Sequence, residues 1–146
     1  MKKFILLFIC FLKFFFPIYS SDLNSLKNYL GKDYSMIEKD FPNIMIINQT
    51  YIYIYNDDEN EYRIYFHVKN NIIFGITCSV LTNQQSVAEN YFLKWKKEYS
   101  ITSEGRLISD TLNEYSWIQY NNTFFIQIFL QNINKKYRVE LYMLKI

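Results

Sequence analysis

Hydrophobic and polar residues alternate with a period of two along much of the chain, which is the pattern of half-buried β-strands. In the first clear pair, Ile52 and Ile54 alternate with tyrosines, and a polar turn at residues 56–60 precedes a second alternating strand. A five-residue loop pairs Tyr55 with Glu61 and keeps both isoleucines beside the apolar side chains of the second strand. In this register the tyrosines face away from the core. The outward side chains of the hairpin are then Tyr51, Tyr53, Tyr55, Arg63, Tyr65 and His67.

A third strand is predicted at residues 72–81, after an Asn70-Asn71 turn. Its more apolar set is expected to face the core, and this requires a three-residue loop with a bulge. That inward set is Ile72, Phe74, Ile76, Cys78 and Val80.

The C-terminal part repeats the alternation in strands at residues 114–120, 123–131 and 137–146, and residues 105–110 predict a shorter strand. The Asn121-Asn122 turn pairs Trp117 with Ile126. The candidate binding residues on the outward face of these strands are Tyr120, Phe125, Phe129, Arg138 and Tyr142.

Three segments have helical spacing instead. Leucines mark a helix over residues 22–30, and a second helix is predicted at residues 34–41. Thr82 and Gln85 have the spacing of a capping box at the start of a third helix that runs to about Tyr99. The predicted fold class is therefore α+β, an antiparallel sheet with helices packed on one face, in the order ααβββαβ(β)ββ.

The first twenty residues have the layout of a secretory signal peptide. Lys2 and Lys3 precede an apolar run, and Pro17 and small residues lead to a cut between Ser20 and Ser21. The apolar stretch is shorter than the roughly 20 residues of a spanning helix. We expect a cleaved signal at residues 1–20, a single domain at 21–146, and a secreted or periplasmic location. The alternative is a retained N-terminal anchor, which would then be the chain's membrane contact.

The composition changes once this leader is set aside. The chain has 146 residues and a formal net charge of +2, but its leader holds three lysines and no acid, so the remainder carries −1. A near-neutral domain has no electrostatic reason to bind nucleic acid, and we expect no such partner. One cysteine, Cys78, remains, so the core must hold the fold without an internal disulfide.

No arrangement of residues specifies a reaction. His67 and Cys78 fall on opposite faces in the predicted alternation and therefore cannot form a nucleophilic pair. The acidic turn at residues 57–61 lacks the spacing of a calcium loop, and the three glycines lie too far apart for a phosphate loop. We therefore expect no enzymatic activity, no cofactor and no metal.

The outward aromatic face is the most informative feature of the sequence. Tyrosine and arginine are enriched at protein interfaces, and apolar patches left open on a protein commonly mark a partner. The alternative is that tyrosine merely suits strands and that lysine, asparagine, isoleucine and tyrosine are abundant because the codons are AT-rich. Both interpretations stay open at this point.

Residues 23–81 resemble a helix–helix–sheet module. Its first part reads Leu26-Lys27-Asn28-Tyr29-Leu30-Gly31-Lys32-Asp33-Tyr34 and leads through Ile37 and Phe41-Pro42 into three strands. The order of elements is similar to that of secreted β-lactamase-inhibitor proteins and of small lipoproteins of the outer-membrane assembly machinery. The resemblance implies a role in binding another protein, without catalysis.

Three hypotheses follow. The first is an exported, non-enzymatic domain that binds a protein or peptide through its tyrosine-rich sheet face. The second is a carrier of a small apolar ligand, with a pocket lined by Trp95, Trp117, Phe66 and Phe124. The third is an enzyme of unrecognised type, using Asp57, Glu61 or His67.

Overall fold

A computed structural model describes residues 26–57, 59–100, 106–119 and 124–146. The predicted signal peptide, Tyr120 and the Asn121-Asn122 turn lie outside these ranges. The helices are α1 (Ser35–Asp40) and α2 (Gln85–Ser100). The strands are β1 (Met45–Ile47), β2 (Thr50–Asn56), β3 (Asn60–Lys69), β4 (Ile72–Thr82), β5 (Arg106–Asp110), β6 (Glu114–Gln119), β7 (Phe124–Ile133) and β8 (Lys136–Lys145).

The predicted class, a helix-packed α+β fold, is wrong. The described residues form a mostly antiparallel sheet of eight strands with two short helices, and about 20% of them are helical. Of the first predicted helix, the described part contains a single helical turn beginning at Leu26. The prediction also missed β1, because Asn48 and Gln49, with φ of 48° and 63°, form a two-residue turn that was not recognised.

The strands follow one another in the order β1-β2-β3-β4-β8-β7-β6-β5, so two antiparallel meanders meet where β4 pairs with β8. One face of the sheet, here the inner face, carries fully buried side chains such as Phe66, Ile128 and Leu141. The helix α2 places Phe92 and Trp95 in the same core. Helical spacing in the sequence predicts a buried stripe of Ala88, Tyr91 or Phe92, Trp95 and Tyr99, and the burial of Ala88, Phe92 and Trp95 confirms it at these three positions.

The predicted register between the strands at 114–120 and 123–131 is confirmed, since Trp117 lies opposite Ile126. The prediction for β4 is wrong near its start. Asn70 and Asn71 form a two-residue turn, and a bulge then shifts the register between His67 and Val68. Ile73 is consequently buried, whereas Ile72 and Phe74, both predicted to face the core, are 41% exposed.

Candidate binding face

The tyrosines of β2 do not face outward as predicted. Tyr51, Tyr53 and Tyr55 lie opposite Phe66, Ile64 and Tyr62, and residues paired in this way share a face of the sheet. The three tyrosines therefore belong to the inner face. The observed register differs from the predicted one by a single residue, which moves every side chain of β2 to the other face.

The turn between β2 and β3 accounts for this register. The carboxylate of Asp57 accepts hydrogen bonds from the backbone N–H groups of Glu59 and Asn60, at 2.9 and 2.7 Å. The backbone N–H of Asp57 donates to the carbonyl of Asn60 at 3.0 Å. These bonds close a turn one residue shorter than predicted and leave Ile54 opposite Arg63.

Inside the fold, each of these tyrosines packs against another aromatic ring. Tyr51 lies 5.6 Å from the ring of Tyr34, and Tyr53 lies 5.4 Å from the ring of Phe41. Tyr55 contacts Tyr62 at 5.8 Å. Their role in the described structure is therefore packing, and they leave the set of candidate binding residues.

The other predicted residues come together on the opposite face, here the outer face. Because β4 pairs with β8, the side chains of β3 lie one strand away from those of β8. One row across the sheet runs Tyr65, Thr77, Tyr142, Gln127, and the next runs Arg63, Ser79, Glu140, Phe129. The sequence predicted two separate patches, and the structure joins them into one.

Small residues of β4 form the floor of this face, a feature that sequence reasoning did not identify. Thr77 and Ser79 are 5% and 6% exposed because the larger side chains of the neighbouring strands cover them. At Gly75 the neighbouring side chains lie close to the backbone. A Cβ there would be 2.7 Å from a methyl group of Leu144 and 3.4 Å from the His67 ring. These small side chains of β4 lie between the larger ones of β3 and β8, and this row is here called the trough.

Polar side chains on either side of the trough pair with one another. Arg63 donates from Nε to Glu61 and from Nη1 to the hydroxyl of Tyr65, at 2.5 and 3.3 Å. The Tyr142 hydroxyl donates to Glu140 at 2.8 Å, and Arg138 lies 3.7 Å from the same carboxylate. Each arginine thus has a glutamate partner, so the centre of the outer face has little net charge.

Aromatic rings extend the face towards β7. Phe129 meets Tyr142 edge-to-face, with ring centroids 5.9 Å apart. Phe125 lies opposite Leu144, in the same row as His67. Both phenylalanines are half-buried, so each still offers part of its ring to a partner. Tyr120, predicted for the same face, lies outside the described residues.

Burial controls the ionisation of this face. It lowers the pKa of His67, whose Nε2 shares a 2.9 Å hydrogen bond with the Thr77 hydroxyl. Burial and then the hydrogen bond to Glu140 raise the pKa of Tyr142 to about 12. At neutral pH both side chains are therefore uncharged, and they present neutral hydrogen-bonding groups beside the ion pairs of this face.

The remaining candidates for chemistry lie apart. Cys78 is opposite Ile64 on the inner face, and burial raises the pKa of its thiol to about 12, whereas His67 is on the outer face. The two side chains do not meet. Within the described ranges, no three His, Cys, Asp or Glu side chains are grouped closely enough to hold a metal ion.

The pocket proposed for a carrier is occupied by packed rings. Phe66 is fully buried and lies 5.0 Å from Phe41, and Trp95 lies 5.8 Å from Tyr91. A surface cleft of about 440 Å³ does occur elsewhere, between α2 and the turn that joins β5 to β6. Its apolar lining residues are Phe92, Leu93, Leu112 and Leu130.

No family model matches the chain, and neither a curated protein nor a solved structure does. The likeness to helix–helix–sheet modules therefore rests on the sequence pattern alone, and the described part of residues 23–81 shows one helix and four strands where it implied two helices and three strands. Among the helices of the described residues, none combines the length and the apolar character needed to cross a membrane.

Proposed function

We propose that the protein is an exported, non-enzymatic domain that binds another protein or a peptide on its outer face. The observation that carries this proposal is the single patch that β3, β4, β8 and β7 form together. In that patch Tyr65, Tyr142 and Phe129 surround small side chains of β4. Half-buried aromatic residues next to a low floor provide contact area at little rotamer cost.

Charge further restricts the partner. Since Arg63 and Arg138 already have glutamate partners, a strongly charged segment would have to break these pairs. A partner segment with apolar and neutral hydrogen-bonding side chains can instead pack on the rings and bond to the Tyr65 and Tyr142 hydroxyls. Both helices lie on the inner side of the sheet. Tyr91 of α2 contacts Tyr62, and Ile37 of α1 belongs to the core, so no described helix covers the patch.

Two tyrosines of β8 provide a matched test. Tyr142 lies on the outer face, whereas Tyr137, on the same strand, lies on the inner side, where its hydroxyl donates to Gln85. Immobilised wild-type protein, Tyr142→Ser and Tyr137→Ser would be exposed to the exported fraction of the producing cells, and captured proteins identified by mass spectrometry. We expect a partner held by the wild type and by Tyr137→Ser.

The captured partner would then be purified and its affinity measured by calorimetry. We expect Tyr142→Ser to weaken binding about tenfold or more, which corresponds to a hot-spot residue. Tyr65→Ser should act in the same direction. The proposal would be refuted if Tyr142→Ser and the wild type bound the partner with equal affinity and had the same far-UV spectrum. It would also be refuted if the wild type captured no protein that Tyr142→Ser does not capture.

The cleft beside α2 favours a second candidate, a carrier of a small apolar ligand. Its volume of about 440 Å³ lies in the range of small-molecule sites, and Leu93 and Leu112 at its rim are 59% and 90% exposed. A fluorescent apolar probe should bind the wild type and lose affinity in Leu130→Gln. Unchanged probe fluorescence in that variant would exclude the cleft as the ligand site.

A further inference from the structure

The two edges of the sheet are protected to different degrees. At one edge, β5 has a charged residue at each end, Arg106 and Asp110, and a bulge at Ile108, which has no partner on β6. Charges and bulges are devices by which proteins prevent an edge strand from pairing with another chain. The edge formed by β5 is therefore protected against strand addition.

The opposite edge, β1, has neither device. Met45, Ile46 and Ile47 are all aliphatic, regularly paired with β2, and 45%, 57% and 53% exposed. No charged residue occurs anywhere from position 41 to position 56. No described strand lies beyond β1 in the sheet. Its short length is the one feature that limits pairing.

We propose that β1 pairs antiparallel with β1 of a second copy of the chain, about a two-fold axis at Ile46. The two-residue turn at Asn48 and Gln49 makes Ile47 and Thr50 the hydrogen-bonded pair next to the turn. Since bonded and non-bonded pairs alternate along an antiparallel ladder, the N–H and C=O of Ile46 point away from β2.

This geometry is complementary to itself. Under the two-fold axis, Ile46 lies opposite Ile46 of the second copy, and the two residues can exchange both backbone hydrogen bonds. Met45 then lies opposite Ile47 of the second copy, so aliphatic side chains meet on the outer face. Residues 41–56 carry no charge, so the paired strands themselves bring no like charges together.

The proposed contact is small and lies beside an open cleft. On the inner side, Ile46 borders a cavity of about 600 Å³ that Tyr34, Tyr51 and Val68 also line. Three paired residues bury less area than the roughly 1,000 Å² of a stable interface, so the dimer is weak and depends on protein concentration. Because the contact is isologous, it closes on two copies and leaves the outer-face patch free for a different partner.

Sedimentation velocity on the full-length chain over a concentration series tests this pairing. The matched variants are Ile46→Lys and Ile108→Lys, which place the same charge on the two edges at similarly exposed isoleucines. We expect the wild type and Ile108→Lys to dimerise with the same dissociation constant, and Ile46→Lys to raise it at least tenfold. Ile46→Pro, which removes the outward N–H without removing a bond to β2, should act like Ile46→Lys.

Hydrogen exchange gives an independent measurement. The amide of Ile46 should exchange more slowly as the wild-type concentration rises, and the amide of Ile108 should not change. A wild type that stays monomeric at every concentration would overturn the proposal. A dimer that forms equally well in Ile46→Lys and Ile46→Pro, with native far-UV spectra, would also overturn it. Such a dimer would use a surface that all the variants share, for example the N-terminal leader, and not β1.

Discussion

His67 combines an ionisable ring with a half-buried position on the outer face. Its ring lies 6.1 Å from Phe74 and shares a hydrogen bond with Thr77, and burial lowers its pKa below the ordinary value of 6.5. In the folded chain the neutral ring is favoured, whereas in the unfolded chain the ring titrates near 6.5. This difference links the stability of the fold to pH.

The fold is more stable when His67 is neutral. Between the two pKa values the unfolded chain binds more protons, so the free energy of unfolding rises with pH. The contribution of His67 is fully present above about pH 6.5 and is lost as the pH falls towards the folded-state pKa. Since the chain has a single histidine, urea unfolding of the wild type and His67→Gln between pH 5 and pH 7.5 isolates it. Parallel pH curves for the two proteins would contradict this prediction.

At the scale of elements, the turn between β2 and β3 decides which side chains face the core. Asp57 holds the turn closed through the N–H groups of Glu59 and Asn60, and it also accepts a 2.9 Å bond from the Tyr62 hydroxyl. Tyr62 in turn bonds with the hydroxyl of Tyr91 on α2. A single carboxylate thus connects the turn, the register and the contact between sheet and helix.

Asp57→Ala should lower the free energy of unfolding by about 1–3 kcal/mol, because the turn and Tyr62 lose the hydrogen bonds that a charged carboxylate accepts. Urea denaturation measures this change. Glu59→Ala is the matched control: the Glu59 carboxylate bonds to the exposed side chain of Gln84, and its loss should stay within about 0.5 kcal/mol. Equal losses in the two variants would show that the turn does not depend on Asp57.

The elements differ in how far the sequence determines them. Trp117 and Ile126 were paired correctly because the Asn-Asn pair in the sequence marks the midpoint between two strands whose faces differ clearly in polarity. In β2 both faces are apolar, since tyrosine alternates with isoleucine, so the pattern does not identify the inward set. The turn geometry set by Asp57 determines which side chains of β2 face inward. The residue types of the turn, asparagine and acidic residues, do not specify whether the loop has four residues or five.

At the scale of the whole molecule, the pairing of β4 with β8 creates the candidate site. These strands are distant in sequence, with α2 and three strands between them. Local alternation predicted that Tyr65 and Tyr142 face outward, but it contains no information on which strands become neighbours. The role of Thr77 and Ser79 was missed for the same reason. It depends on the large side chains that cover them, and these come from strands whose position beside β4 the local sequence does not specify.

Thiol counting tests the proposed export of the whole molecule. Burial raises the pKa of Cys78 to about 12, so its thiol should react with a disulfide reagent only when the fold opens. The other cysteine, Cys10, belongs to the predicted leader. Protein recovered from the producing cells should therefore show no fast-reacting thiol when native and one when unfolded in guanidinium.

The Cys78→Ala variant is the control and should show no thiol in either state. An intact mass equal to that of a chain starting at Ser21 would confirm the cleavage. The formal net charge of that chain is −1 instead of +2. Two thiols in the unfolded wild type, with one remaining in Cys78→Ala, would instead show that the N-terminal segment is retained. In that case the outer face would work next to a membrane, and the partner would have to be sought there.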